Sequence, residues 1–198
     1  MTSFARHRLL WLLAVVGLLT GCGEGGGEAD AEPGAEGPSR PSRPAPAFAL
    51  ETLAGDTLTL ASFAARPAVL MNFWASWCEP CKVEIPDLIA LHQAYEAQGL
   101  QVLGVVVNDV PRDTRAFVAE LPMPYPSVIA TPAMLEAYRI APWLPTTILI
   151  SDGRIVEEWV GPRVRADFEY PIRVALGIAP PLDDVIVDEP EEGRPRGR

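Results

Sequence analysis

Two cysteines separated by two residues stand in the run Trp77-Cys78-Glu79-Pro80-Cys81. A thiol pair at this spacing can close to a disulfide and pass it on, because exchange begins with attack of a thiolate on a disulfide sulfur. The chain before the pair reads as a buried strand and the chain after it as a helix. That setting places the first cysteine at a helix N-terminus, where unpaired amide groups and the helix dipole favour the thiolate. The second cysteine, one turn on, is near enough to resolve a mixed disulfide. Pro80 fits the first helical turn, where a missing N–H costs nothing. The chemistry requires Cys78 to be exposed and ionisable. Two other uses of the spacing are a zinc half-site and an inert structural bridge. Structural zinc wants four ligands, yet the chain has no second C-x-x-C, and beyond its leader the only histidine is His92. A strand–C-x-x-C–helix context is unusual for an inert bridge, so the redox reading leads.

The third cysteine, Cys22, has a different setting. Arg6, His7 and Arg8 precede an apolar stretch from Leu9 to Leu19. A basic region followed by a short hydrophobic one reads as an export signal, since a membrane-spanning helix needs roughly 20 apolar residues. The run ends in Leu19-Thr20-Gly21-Cys22, which resembles the lipobox of bacterial lipoproteins. That resemblance implies a signal peptide over 1–21 and lipid on Cys22, which then does no redox chemistry; more than one acyl chain is needed for a stable hold. The alternatives are an ordinary signal peptide with an incidental cysteine, or an uncleaved short anchor. Residues 22–46, rich in Gly, Glu, Ala, Pro and Ser, bury too little to fold. They read as a tether with a reach on the order of 25–30 Å. The expected location is the cell envelope, outside the cytoplasm, on a membrane whose identity stays open.

The elements that must position Cys78 and Cys81 lie between residues 47 and 178, one domain's length. Of the 198 residues, 48% are hydrophobic, enough for a core. The formal net charge of −10 argues against a nucleic-acid partner, which would call for a basic footprint. Leu58-Thr59-Leu60 alternates like a short strand after a turn at Gly55-Asp56. Val69–Trp74 is nearly all apolar, as a strand buried on both faces should be. The helix after the cysteines should turn Ile85, Leu88, Ile89 and Leu91 inward and stop at Gly99. Val102–Val107 reads as a second buried strand and Arg112–Leu121 as a helix. Thr131-Pro132 caps another helix that runs to Arg139. Thr147–Ile150 and Arg154–Val160, split by Asp152-Gly153, form a hairpin. Val164, Phe168, Ile172 and Leu176 mark a last helix, bent by Pro171. Strands alternating with helices and then a closing hairpin predict an α/β fold with a mixed sheet covered on both faces. Residues 179–198 read as a disordered tail.

The string Asn72-Phe73-Trp74-Ala75-Ser76-Trp77-Cys78-Glu79-Pro80-Cys81-Lys82 resembles the TlpA/ResA group of thioredoxin-like thiol–disulfide oxidoreductases. The likeness continues through Glu84-Ile85-Pro86, Leu144-Pro145-Thr146-Thr147 and Asp152-Gly153-Arg154-Ile155. It implies a thioredoxin-like fold with an N-terminal strand extension, Cys78 as nucleophile and Cys81 as resolving thiol. It implies a cis bond at Pro145, a kink at Pro86, and substrate docking on Trp77, Glu79, Pro80, Leu144 and Pro145. Glu84, three residues after Cys81, shares its helix face and matches a glutamate that manages protons at the thiols. Ordinary thioredoxins have a buried Asp where this chain has Asn72, so that task passes to Glu84. No cofactor beyond the disulfide and no metal are implied. The partners implied are protein thiols and disulfides, a membrane thiol electron carrier, and the membrane through the lipid anchor. One departure stands out. Tyr138 and Pro145 are seven positions apart where family members have six, with Trp143 in the added space. Two other functions compete. A thiol peroxidase would have Thr three residues before its cysteine, where this chain has Ala75. A copper-binding chaperone would have three residues between its cysteines, a distal His and often Met.

Overall fold

In the computed structural model residues 42–180 are described. The signal peptide, Cys22 and most of the tether and tail expected from the sequence therefore lie outside the described residues. The centre of the fold is a pair of parallel strands, β4 (Ala68–Trp74) and β5 (Leu100–Val106), buried at every position. Their near-continuous apolar sequences suit strands covered on both faces. On one side β5 pairs in parallel with β6 (Ser127–Ile129). On the other, β4 pairs antiparallel with β7 (Thr146–Ser151), which turns back into β8 (Arg154–Val160). With the two-residue strand β1 (Arg43–Pro44) at one edge, the sheet order is β1-β8-β7-β4-β5-β6.

One face is covered by α1 (Glu79–Tyr95) and α4 (Arg165–Ala175), which set Leu88, Leu91, Phe168 and Ile172 against Leu70, Val102 and Leu149. The other carries α3 (Pro132–Tyr138), a 3-10 turn at Leu60–Phe63, and the hairpin β2–β3 (Ala49–Glu51, Thr57–Thr59). The remaining helix, α2 (Pro111–Glu120), sets Phe117 against Trp74. This is the thioredoxin-like α/β arrangement expected, with Gly99 at φ 107° after α1 and a 3-10 turn, and Thr131 capping α3 through Met134 N. Glycine is needed at Gly104 for a different reason. A Cβ there would meet Ser127 Oγ at 2.4 Å and Trp74 Nε1 at 2.9 Å, so β5 passes this point only without a side chain.

Two expectations need correction, and one element was not expected. The end of the tether is folded: Arg43–Pro44 form β1 at the edge of the sheet against β8. Ala45 N donates to Gly153 O and Arg43 to the Tyr138 carbonyl. A proline is tolerated on an edge strand, and pairing needs backbone rather than apolar side chains, so composition concealed it. Local pattern does not predict the short β6, because Pro124 and Pro126 interrupt the chain just before its three residues. Val164 does not face inward; it is the exposed residue before α4, while Phe168 and Ile172 fill the core as expected.

Candidate active site

The sequence after β4 makes a turn through Ala75-Ser76-Trp77 and enters α1 with Cys78 as its N-cap. Cys78 and Cys81 are joined as a disulfide, Cα atoms 5.3 Å apart. Cys78 Sγ accepts from the Cys81 amide at 3.3 Å, an N–H it shares with the Cys78 carbonyl at 3.1 Å, so the first turn of α1 already points a donor at the sulfur. The exposure expected for Cys78 is corrected: the residue keeps only 4% of its surface and Cys81 none. A substrate sulfur can meet only a small facet, so what borders that facet decides who reacts.

The residues expected beside that facet lie on three segments. Trp77 is 58% exposed, with its indole Nε1 donating to Asn108 O at 3.1 Å. Glu79 and Pro80 are exposed on the first turn of α1, where Lys82 Nζ meets Glu79 Oε1 at 2.6 Å. The Leu144–Pro145 bond is cis, Pro145 is buried, and its carbonyl accepts from Gly161 N. Leu144 packs on the cluster formed by Trp74, Ala75, Cys78, Cys81 and Ile85.

Glu84 is not a solvated helix residue. It is 1% exposed on the buried face of α1, three residues after Cys81. Its Oε1 accepts from Asn72 Nδ2 at 2.9 Å and Thr147 Oγ1 at 3.1 Å, and its Oε2 accepts from the Arg163 amide at 2.8 Å. Asn72 and Thr147 are direct partners across β4 and β7, which is why both reach one carboxyl group. Burial raises the pKa of Glu84 from 4.5 to about 7, against the opposing pull of those three donors and the Arg163 charge. A carboxyl group poised there can take or give a proton near neutrality.

His92 belongs elsewhere. It follows Cys81 by eleven residues on the same helix, about 16 Å along the axis, and its Nε2 lies 3.6 Å from Glu96 Oε2. It cannot complete a metal site with the cysteines.

The sequence did not reveal Asp109. Its Oδ2 accepts from Ser76 N at 2.7 Å, and its Oδ1 from Ser76 Oγ and Val110 N, both at 2.8 Å. Burial pushes its pKa up, but the Ser76, Thr114 and Val110 donors outweigh it and leave the carboxyl below its ordinary value. Asn108, beside it, adopts φ 46°. The loop after β5 therefore holds both the backbone and the indole of the turn that delivers Cys78. The only sequence signal was an Asn-Asp pair between a buried strand and a proline-started helix.

Residues 41–158 match the AhpC/TSA family. The chain belongs to that family. It is 33% identical over 127 residues to the thiol-disulfide oxidoreductase ResA of Geobacillus kaustophilus, covering 63% of this chain and 72% of that one. To the thiol:disulfide interchange protein HelX of Rhodobacter capsulatus it is 37% identical over 121 residues, 60% of this chain and 66% of the relative. A solved thiol:disulfide interchange protein of the thioredoxin family from Chlorobium tepidum superposes with TM-score 0.63 at 32% identity, over 68% of this chain and 96% of that one. This AhpC/TSA member is a thiol–disulfide oxidoreductase, similar to ResA and HelX and carrying a C-x-x-C disulfide.

Proposed function

We propose that the protein works as a membrane-tethered reductase of disulfides in exported proteins, the cysteine pairs of apocytochrome c before haem attachment among them. Reduced Cys78 attacks a substrate disulfide; a Cys78–substrate bond forms and one substrate thiolate leaves. Cys81 then attacks Cys78 Sγ, the Cys78–Cys81 bond forms and the second substrate thiolate leaves, so two electrons pass to the substrate. Glu84 in its carboxylate form takes the proton from Cys81. A membrane thiol carrier restores the dithiol. Lipid on Cys22 keeps the domain at the membrane outside the cytoplasm.

The observation that carries this reading is the disulfide at the N-cap of α1 with a buried, near-neutral carboxyl group behind it. Ala75 in place of a threonine hydroxyl speaks against peroxide as substrate. The test is a trap. A Cys81→Ala variant should accumulate exported proteins linked through Cys78, and Cys78→Ala should accumulate none. The pair's reduction potential should lie nearer the roughly −270 mV of thioredoxin than the roughly −120 mV of a strong oxidant. A value at the oxidising end, or a trap that stays empty, would overturn the reductase assignment.

A further inference from the structure

Glu84 titrates near neutrality yet is buried, so every change in its charge needs a proton route to solvent. In the oxidised protein that route does not pass through the cysteines, because disulfide sulfurs hold no proton. Two of the three donors on Glu84 are amides, the Asn72 side chain and the Arg163 backbone, and amides do not relay protons. The third, Thr147 Oγ1, is itself buried and its other bond is to Asn72. The back of α1 offers another direction. Glu84, Leu88, His92 and Glu96 follow at four-residue steps and share a helix face. Glu84 and His92 stand about 12 Å apart along the axis, with the apolar Leu88 between them. Tyr125, from the segment before β6, packs in one cluster with Leu88 and Leu91. Its ring meets His92 edge-on, centroids 5.6 Å apart. Burial first and the Glu84 charge second raise the pKa of its hydroxyl, so that hydroxyl feels the carboxyl group directly.

Three buried side-chain atoms lack a hydrogen-bond partner among the described residues: Trp74 Nε1, Tyr125 OH and His92 Nδ1. Leaving such groups unpaired is costly, and each calls for a use. An indole nitrogen only donates, whereas a phenol and a neutral imidazole can each take one proton and give another. Burial lowers the pKa of His92 and Arg66 adds to the lowering, against the Glu96 charge and the nearby Pro124 carbonyl, so the ring stays neutral near pH 7. On its other side His92 Nε2 lies 3.6 Å from Glu96 Oε2, and Glu96 stands in water.

We propose that Tyr125 and His92 form a proton relay joining Glu84 to solvent at Glu96. Protonated Glu84 gives its proton to the Tyr125 oxygen as the Tyr125 hydroxyl proton passes to His92 Nδ1. The His92 Nε2 proton passes to the Glu96 carboxylate and from there to water. Tyr125 and His92 each end with as many protons as they began with. The imidazole proton has moved from Nε2 to Nδ1, and the reverse run, when Glu84 is loaded again, returns it. Where two groups stand further apart than a hydrogen bond, a bridging water carries the proton. The charged groups facing the relay are Glu84 and Glu96 on α1, Arg163 beside Glu84, and Arg66, before β4, beside His92. The inference rests on Glu84 as the proton acceptor of the oxidoreductase reading and adds the path that serves it.

The test reads Glu84 itself, in the oxidised full-length protein labelled with carbon-13 at its glutamate carboxyl groups. The Glu84 resonance is the one that Glu84→Gln removes, and its relaxation near the titration midpoint gives the rate of proton exchange. Tyr125→Phe, which deletes one oxygen, should slow that exchange roughly a hundredfold, the low end of what a positioned proton donor contributes. The resonance should still titrate, because the route sets the rate and not the equilibrium. His92→Gln keeps a polar side chain that does not relay, and should slow exchange to a similar degree. The double variant should be no slower than the slower single one, because the two steps lie in series on one route. Exchange as fast in Tyr125→Phe as in the unaltered protein, or two slowings that multiply, would overturn the relay and leave both Glu84 as base and the reductase reading standing. Reduction of hydroxyethyl disulfide by the reduced protein is measured alongside; failure there would sink the reductase reading and leave the relay intact.

Discussion

A single carboxyl group carries most of the pH dependence expected at this site. Glu84 is raised to about 7 from an ordinary 4.5 by burial. Between those values the folded protein binds a proton that the unfolded chain has released, so stability falls as pH rises from about 4.5 to about 7. The loss is on the order of 3 kcal/mol, complete above the folded pKa. Glu84→Gln keeps the shape and does not titrate. In the oxidised protein, where the thiols are tied up, denaturant titrations at pH 5 and pH 8 should show that slope in the native protein and not in the variant. An identical slope in both would remove Glu84 as its source. In the reduced protein the same substitution should displace the pH profile of thiol reactivity. The three donors on Glu84 also tie α1 to β4, β7 and the loop before α4, so some loss of stability in the variant at low pH is expected alongside.

At the scale of elements, the reactive turn is held by a loop distant in sequence. Ser76 and Trp77 are bound by Asp109 and Asn108 at the end of β5. Helix α1 fixes Cys81, but Cys78 is its N-cap and takes its position from the turn. Asp109→Ala removes two charge-assisted hydrogen bonds to Ser76, each worth about 1.5–3 kcal/mol. The expected result is a slower reaction with hydroxyethyl disulfide and an altered Trp77 fluorescence, with Asp109→Asn in between because it keeps one acceptor. Unchanged rate and emission in Asp109→Ala would show that α1 alone positions Cys78. The C-x-x-C turn and the loop after β5 are thus one unit, though 33 residues separate Ser76 from Asp109.

For the whole molecule, the domain reaches further toward the N-terminus than its apolar pattern suggests. β1 closes the edge of the sheet, Tyr138 donates its buried hydroxyl to Pro46 O at 2.7 Å, and Arg43 bonds the Tyr138 carbonyl. A chain beginning at Ala47 leaves that hydroxyl without its partner. It should lose about 2 kcal/mol or more in denaturant titrations; equal stability would mean that β1 adds nothing to the fold. What local sequence determined by itself was whatever depends on neighbours along the chain: the buried runs of β4 and β5, the cap at Thr131, the hairpin at Asp152-Gly153, and a disulfide opening a helix. Periodicity and capping are properties of a few consecutive residues, and so they can be read directly. The likeness to a known group added the cis bond at Pro145 and the importance of Glu84. Only the tertiary structure decided how little of Cys78 is uncovered, which donors meet Glu84, that Asp109 holds the reactive turn, and that Arg43–Pro44 is a strand. Each depends on segments that meet across the sheet, as Asn72 and Thr147 do from 75 residues apart, and no pattern of local spacing records which strand lies beside which.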